Sequence, residues 1–477
     1  MRTNVLLLAS TALAVLLVLG VSGSTPRDAE ALTAKPNIVY ILTDDMRKDD
    51  LKYMPKTRSV LQNEGMTFAN AFVSNPVCCP SRATIMRGQY SHNTGVWTNT
   101  STDSPSTASG GWQAYKDNGG ETDNVATRLH DAGYKTALLG KYLNGYMDTD
   151  TYVPPGWDKW FATQNGFFDY HVNDNGTIRY FGTNASDYQT DVLSRQTNGF
   201  ISDSASQDKS FFAYVSPKAP HVPAIPAPRH EHTYDGAKAP RPPSFNEKDV
   251  SDKPHWISQL SLLGSYKKNQ IDSRHEKRIE SLQAVDDLVA GVVNTLNNAG
   301  VMSNTYIFFT SDNGWQSGEH RIPFEKKRPY EESIRVPLLV RGPGAAAGST
   351  TNKLALNTDF LPTFTSLAGT QTPSYVDGRS LQPVLKGIAS SWRNAILLEG
   401  AEYFNPAFSG IRTQGDSYAG KYIEYQGGVR ERYYLGRDPH ELTNQYDRDS
   451  PPRDLVSGLQ ALKSCAQDTC RAAENGP

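Results

Sequence analysis

Short apolar runs recur along the chain, each followed by a polar loop and a stretch of helical period. Five of them predict buried strands: Asn37 to Leu42, Lys135 to Leu139, Phe211 to Val215, Thr305 to Phe309 and Val336 to Val340. Ahead of the fourth, Ile279, Leu282, Val285, Leu288, Val289, Val292, Val293 and Leu296 repeat at three and four. That spacing predicts an amphipathic helix stopped before Gly300. Strands alternating with helices imply an α/β fold, a large and mostly parallel sheet covered by helices on both faces. The stretch from Pro217 to Pro254, rich in proline and charge, predicts a long surface excursion. Beyond about residue 370 the runs shorten, at Ala395 to Leu398, Lys421 to Tyr425 and Arg432 to Leu435. They predict a smaller α+β subdomain over residues 371–477, with an antiparallel sheet, after a main domain over residues 36–370.

Composition narrows the class. The chain has 477 residues, 38% apolar and 21% charged, with 48 Lys+Arg against 50 Asp+Glu. So long a chain buries a large core without staples, which excludes a disulfide-framework miniprotein. A net charge of −2 excludes a general nucleic-acid or membrane-surface binder, which carries a basic excess. At the N-terminus, Arg2 precedes an apolar run from Val5 to Leu19, and two cleavage-like ends follow, Val21-Ser22-Gly23 and Ala29-Glu30-Ala31. The run is short for a membrane span, so residues 1–31 read as a cleaved secretory signal and the protein as secreted or extracytoplasmic, with no membrane anchor. Export permits disulfides, and the four cysteines form two close pairs. Cys465 and Cys470, in a polar tail, suit a small disulfide loop. Cys78 and Cys79 are adjacent, where a mutual bridge would strain the peptide.

In an open α/β sheet, ligands bind beyond the carboxyl ends of the strands. Here the first strand runs into Asp44-Asp45, the second into Gly140-Lys141, the third towards His221 and the fourth into Asp312-Asn313. Asp44, Asp45, Asp312 and Asn313 offer oxygen ligands alone, a set that suits a hard cation, Ca2+ or Mg2+, and not zinc. Without a cation, the carboxylates would repel one another and raise their own pKa values. The segment Cys78-Cys79-Pro80-Ser81-Arg82 to Gly88 adds a second feature. Pro80 suits a first helical turn, which puts Cys78 at a helix N-terminus where an anion is favoured. As plain chemistry Cys78 is a thiolate nucleophile or a metal ligand.

Cys78-x-Pro80-Ser81-Arg82 followed by Gly88 resembles the signature of the formylglycine-dependent (type I) sulfatases of the alkaline phosphatase superfamily. Asp131-Ala132-Gly133-Tyr134 leading to Gly140-Lys141, Pro220-His221-Val222-Pro223, Thr310-Ser311-Asp312-Asn313-Gly314 and Tyr434-Leu435-Gly436-Arg437-Asp438-Pro439-His440-Glu441 are similar to further family stretches, in the same order. The doubled cysteine and Lys141-Tyr142-Leu143-Asn144 most resemble the N-acetylglucosamine-6-sulfatase branch and its extracellular endosulfatase relatives.

The resemblance implies an alkaline-phosphatase-like sandwich that hydrolyses sulfate esters of sugars or aryl alcohols. It implies that Cys78 is oxidised to formylglycine by a formylglycine-generating enzyme, the maturation partner. Asp44, Asp45, Asp312, Asn313 and residue 78 would then hold Ca2+. One hydroxyl of the hydrated aldehyde, deprotonated with help from Asp312, attacks sulfur, and the second expels sulfate. Arg82 and Lys141 would steady the diol, while Lys141, His221 and Lys326 would bind sulfate, the last two also serving the leaving oxygen. Lys326 is preferred to Lys327 because it stands four before Tyr330-Glu331. His320 is a further substrate contact, and His92 a pocket-lining candidate. Many relatives carry His where Leu143 stands, so Asn144 or another group would assist collapse. Loops 97–120 and 165–190 would wall the pocket. Asn99, Asn175 and Asn184 match the glycosylation sequon. The alternatives are a phosphate or phosphonate monoesterase of the same superfamily and a non-catalytic sulfatase-like binding protein.

Overall fold

A computed structural model describes Met1 and residues 35–103, 109–146, 150–163, 166–401, 406–414 and 420–476. The expected secretory segment lies, apart from Met1, outside the described residues. From Lys35 onward the chain forms one compact unit. No helix among the described residues is long and apolar enough to cross a membrane.

The four strongest apolar runs become the centre of a ten-stranded sheet: Asn37–Thr43, Lys135–Gly140, Phe211–Ser216 and Thr305–Ser311. They lie side by side and parallel, Thr305–Ser311 beside Asn37–Thr43, then Phe211–Ser216, then Lys135–Gly140. Their side chains alternate between two cores, as the period of two requires. Ile38, Tyr40 and Leu42 join the core under the helices Cys78–Arg87, Val125–Asp131 and Phe360–Leu367. Val39 and Ile41 face the opposite core, beneath the helices Gln189–Ser206 and Ser265–Asn298. The fifth run forms Leu338–Arg341, antiparallel to Thr305–Ser311.

The sheet extends further than the apolar runs indicate. Lys159–Ala162 adds in parallel beyond Lys135–Gly140, and the hairpin Tyr170–Asp174 and Thr177–Phe181 follows. This corrects the reading of residues 165–190 as a pocket loop: much of the stretch is an edge hairpin turning at Asn175-Gly176, both with positive φ. The helix Ser265–Asn298 begins well before Ile279, because its first turns face solvent and carry no apolar repeat.

After residue 370 comes the four-stranded antiparallel sheet Ala395–Gly400, Phe408–Thr413, Gly420–Tyr425 and Arg430–Tyr434. Its core also takes in Phe72, Tyr90, Tyr330 and Ile334 from earlier in the chain. Buried polar ties reinforce that continuity: Tyr90 Oη donates to Glu474 at 2.6 Å, and Lys421 Nζ meets Glu441 at 2.7 Å and Glu331 at 3.0 Å. A disulfide joins Cys465 and Cys470.

Candidate active site

Strand register builds the site. Thr43 pairs with Ser311, so the residues that follow, Asp44-Asp45 and Asp312-Asn313, leave the sheet together. Asp312 N–H donates to Thr43 O at 3.1 Å, and Asp45 N–H donates to the Asp312 carboxylate at 3.0 Å. Gly140 pairs with Ser216, and Lys141 N–H donates to Ser216 O at 2.8 Å, which launches the lysine from the same edge. Gly140 is required here, because its φ is +115° and a Cβ would stand 2.1 Å from Ser216 O. Cys78 opens the helix Cys78–Arg87, with Val77 as its cap and Gly88 closing it in the left-handed region. That helix end points at the strand edge.

The side chains interlock. Cys78 Sγ lies 3.4 Å from Asp44 Oδ1, 3.8 Å from Asp45 Oδ1 and 2.8 Å from Lys326 Nζ. Lys141 Nζ donates to Asp44 Oδ2 at 2.6 Å, and Lys326 Nζ also bonds Asp45. Arg82 is buried and bonds Asp312 Oδ2 at 2.8 Å, Ser216 Oγ at 2.6 Å and Lys141 O at 3.1 Å. Asn313 Nδ2 donates to Asp45 at 2.7 Å. His221 donates from Nδ1 to Val222 O at 2.6 Å, which leaves Nε2 facing Asp45 Oδ2 at 3.7 Å.

Cations, not an ion alone, balance the carboxylates. Burial by itself would raise Asp44, but Lys141, His221, Arg82 and Lys326 outweigh it and hold its carboxyl well below the usual range. Asp45 is lowered in the same way, Lys326 and His221 overcoming its burial. The expected self-repulsion is therefore corrected for these two and survives at Asp312, which burial and Asp44 push up to about 6. Burial and Asp44 also raise the Cys78 thiol far above its ordinary value, so an unmodified Cys78 is not poised as a thiolate.

The oxygens fit a hard cation. Asp45 Oδ2 and Asn313 Oδ1 are buried and have no hydrogen-bond partner among the described residues. Unsatisfied buried acceptors on a carboxylate and an amide, beside Asp44 and Asp312, suit oxygen-seeking Ca2+. Donor atoms of Asp44, Asp45, Cys78 and His221 lie within 4.8 Å of one another.

The structure thus brings Asp44, Asp45, Cys78, Arg82, Lys141, His221, Asp312, Asn313 and Lys326 together. Four other residues lie elsewhere. His320 is fully buried, bonds Glu247 at 2.7 Å through Nδ1 and packs on the Tyr330 ring at 4.3 Å. An imidazole enclosed in this way has no face open to substrate. His92 bonds Glu399 at 2.8 Å and Cys465 O at 2.9 Å, a tie to the C-terminal sheet and not a pocket wall. Leu143 belongs to the apolar core. Lys327 donates its N–H to Pro76 O at 3.2 Å, one residue beyond the lysine that reaches the site.

Sequence reasoning missed two supports. Ser216 Oγ fixes Arg82, and Asn99 Oδ1 accepts from Cys79 N–H at 2.9 Å at the start of the cysteine helix. The first sequon asparagine therefore braces the helix that carries residue 78. Ser216 had no distinguishing neighbour in sequence, and the sequon around Asn99 points to the surface and not to a helix brace.

The His92 contact yields a stability prediction. Burial alone would lower its pKa, but the Glu399 carboxylate raises it from 6.5 to about 9. A folded value above the unfolded one means stability fully present below pH 6.5 and lost as pH rises through 9. The expected loss is about 2–3 kcal/mol. Urea unfolding at either end of that window measures it, and in His92→Gln the difference should disappear.

The family model described as Sulfatase matches residues 36–370, and that described as N-sulphoglucosamine sulphohydrolase, C-terminal, matches residues 318–463. The N-acetylglucosamine-6-sulfatase of Capra hircus is 33% identical over 95% of this chain and 87% of its own length. Among solved structures, a protein in complex with its substrate D-glucosamine-2-N,6-O-disulfate superposes with a TM-score of 0.74, at 24% identity, covering 92% of this chain and 98% of that one. The phosphonate monoester hydrolase of Agrobacterium radiobacter shares the fold with a TM-score of 0.66 at 22% identity, covering 86% of this chain and 91% of its own. A sulfatase match across most of the chain, with that identity to a sulfatase along nearly its whole length, decides between these chemistries: the chain belongs to the sulfatase family and is a sulfuric ester hydrolase.

Proposed function

We propose that the chain removes sulfate from sulfated aminosugars, with residue 78 converted from cysteine to formylglycine and Ca2+ held by Asp44, Asp45, Asp312, Asn313 and residue 78. One observation carries this reading: the residue 78 side chain sits between Asp44 and Lys326, at 3.4 and 2.8 Å, where its own thiol is held protonated. A group other than the thiol is needed for nucleophilic attack there. The aminosugar assignment draws on the glucosamine-6-sulfatase to which the chain is similar. The apolar run Val5 to Leu19, read as a secretory leader, supports export.

Bound Ca2+ would neutralise sulfate oxygens and the charge that grows on them in the transition state. The aldehyde, once hydrated, would supply one oxygen to attack sulfur and a second whose collapse frees sulfate. The chain's own residues do the rest. Arg82 orients the Asp312 carboxylate through Oδ2, as the base that would take the nucleophile's proton. Lys141 and Lys326 bring two ammonium groups to the carboxylates and residue 78, where they would bind sulfate oxygens. Lys326 and His221 would meet the leaving oxygen. Burial lowers His221 despite Asp44 and Asp45, which favours an Nε2 able to accept a proton. With Leu143 in the core, His221 is the imidazole placed to move the proton released on collapse.

Matched aryl sulfate and aryl phosphate esters test the reading, with N-acetylglucosamine 6-sulfate alongside. Sulfate should be released from both sulfate esters, with a kcat/KM at least ~100-fold above that for the phosphate. A preference for phosphate would defeat it.

A further inference from the structure

The long helix Ser265–Asn298 presents a second surface beside the site. Tyr266, Gln270, Ser273, Arg274 and Lys277 recur at three and four, so they share one helical face. With Val222 and Pro223 they line an open groove of about 490 Å3. Val222 and Pro223 directly follow His221, which reaches Asp45 at 3.7 Å. On another side, the Arg274 guanidinium lies 3.8 Å from the centre of the Phe324 ring, and Phe324 stands two residues before Lys326. The groove thus adjoins both segments that deliver groups to the leaving oxygen.

Its chemistry is cationic and aromatic. Tyr266 is 74% exposed, and Gln270 Nε2 donates to its hydroxyl at 3.0 Å. The acids of this part of the helix are turned away. Asp272 accepts from Ala239 N–H and Arg241, and Glu276 accepts from Gly236 N–H at 2.8 Å. Arg274 and Lys277 are left to face the groove without their helix's carboxylates.

Resting on the sulfate-ester reading of the adjoining site, we propose that this groove is a subsite for the neighbouring, anionic sugar of the substrate chain. Tyr266 offers its ring face to the sugar, and Arg274 and Lys277 bind sulfate or carboxylate groups on that second unit. The preferred substrate is then an oligosaccharide charged on adjacent units.

The test uses the full chain carrying Cys78→Ala, with Ca2+ present, and a sulfated glucosamine–uronate tetrasaccharide as probe. Adding Lys277→Glu or Tyr266→Ala should raise the Kd about tenfold, and Lys277→Glu should flatten its salt dependence. In the chain with residue 78 intact, both substitutions should leave aryl sulfate turnover within about twofold, since the aryl ester does not reach the groove. An unchanged tetrasaccharide Kd, or an equal fall with the aryl ester, would overturn the proposal. The sulfate-ester reading fails on a different result, no sulfate release from any ester by the unaltered protein.

Discussion

Replacing Cys78 with serine is expected to lower steady-state sulfate release by at least ~10^4-fold while leaving the fold intact. The site offers no substitute nucleophile. Lys141 and Lys326 are tied to carboxylates, and burial disfavours a thiolate even in the unaltered cysteine. A serine hydroxyl could at most accept the sulfate group once, because it has no second oxygen whose collapse would expel sulfate. The readout is therefore two-part: a stoichiometric burst of alcohol at most, then no turnover. Serine is close in size to cysteine, and thermal unfolding should change by only a few degrees. Mass analysis of the peptide bearing residue 78 completes the test. In protein made with the converting enzyme present, the residue should be an aldehyde or its hydrate. An active protein with an unconverted thiol would sink the mechanism.

Metal removal should have the second largest effect. After chelation, sulfate release should fall at least ~100-fold and return on adding Ca2+, with Mg2+ restoring less because it demands stricter octahedral geometry. The chelated protein should nevertheless remain folded. Asp44 and Asp45 already have Lys141, Lys326 and Arg82 as counter-charges, so loss of the ion does not leave them uncompensated. Unfolding should stay cooperative, with a Tm several degrees lower, as expected for a ligand whose saturation contributes about 2.7 kcal/mol at a hundredfold excess over Kd. Activity that survived exhaustive chelation would exclude a metal from the reaction.

The central strands and the chemistry at their ends were legible for one physical reason. A strand buried on both faces is a continuous apolar run, and the residue that ends it is the one that meets solvent or ligand. Asp44, Lys141 and Asp312 each sit directly after such a run. The edge hairpin at Tyr170–Phe181 was not legible because its outer strand, Thr177–Phe181, is largely exposed and mixes Thr and Arg with Ile, Tyr and Phe in no clear alternation. The first turns of Ser265–Asn298 were hidden in the same way. His320 and His92 were misplaced because their partners, Glu247 and Glu399, are 73 and 307 residues away in sequence. Ion pairs of that kind are made by the fold and leave no local pattern.

The enclosure of residue 78 also fixes an order of events in the life of the protein. Its side chain is 1% exposed, its helix is braced by Asn99, and Lys326 closes on it from a segment 248 residues away. A modifying enzyme must take hold of several residues on either side of the cysteine, and the folded chain offers none of them. On the formylglycine reading, conversion would then belong to the nascent or unfolded chain, and protein that folded with its thiol intact would stay inactive until it unfolded again.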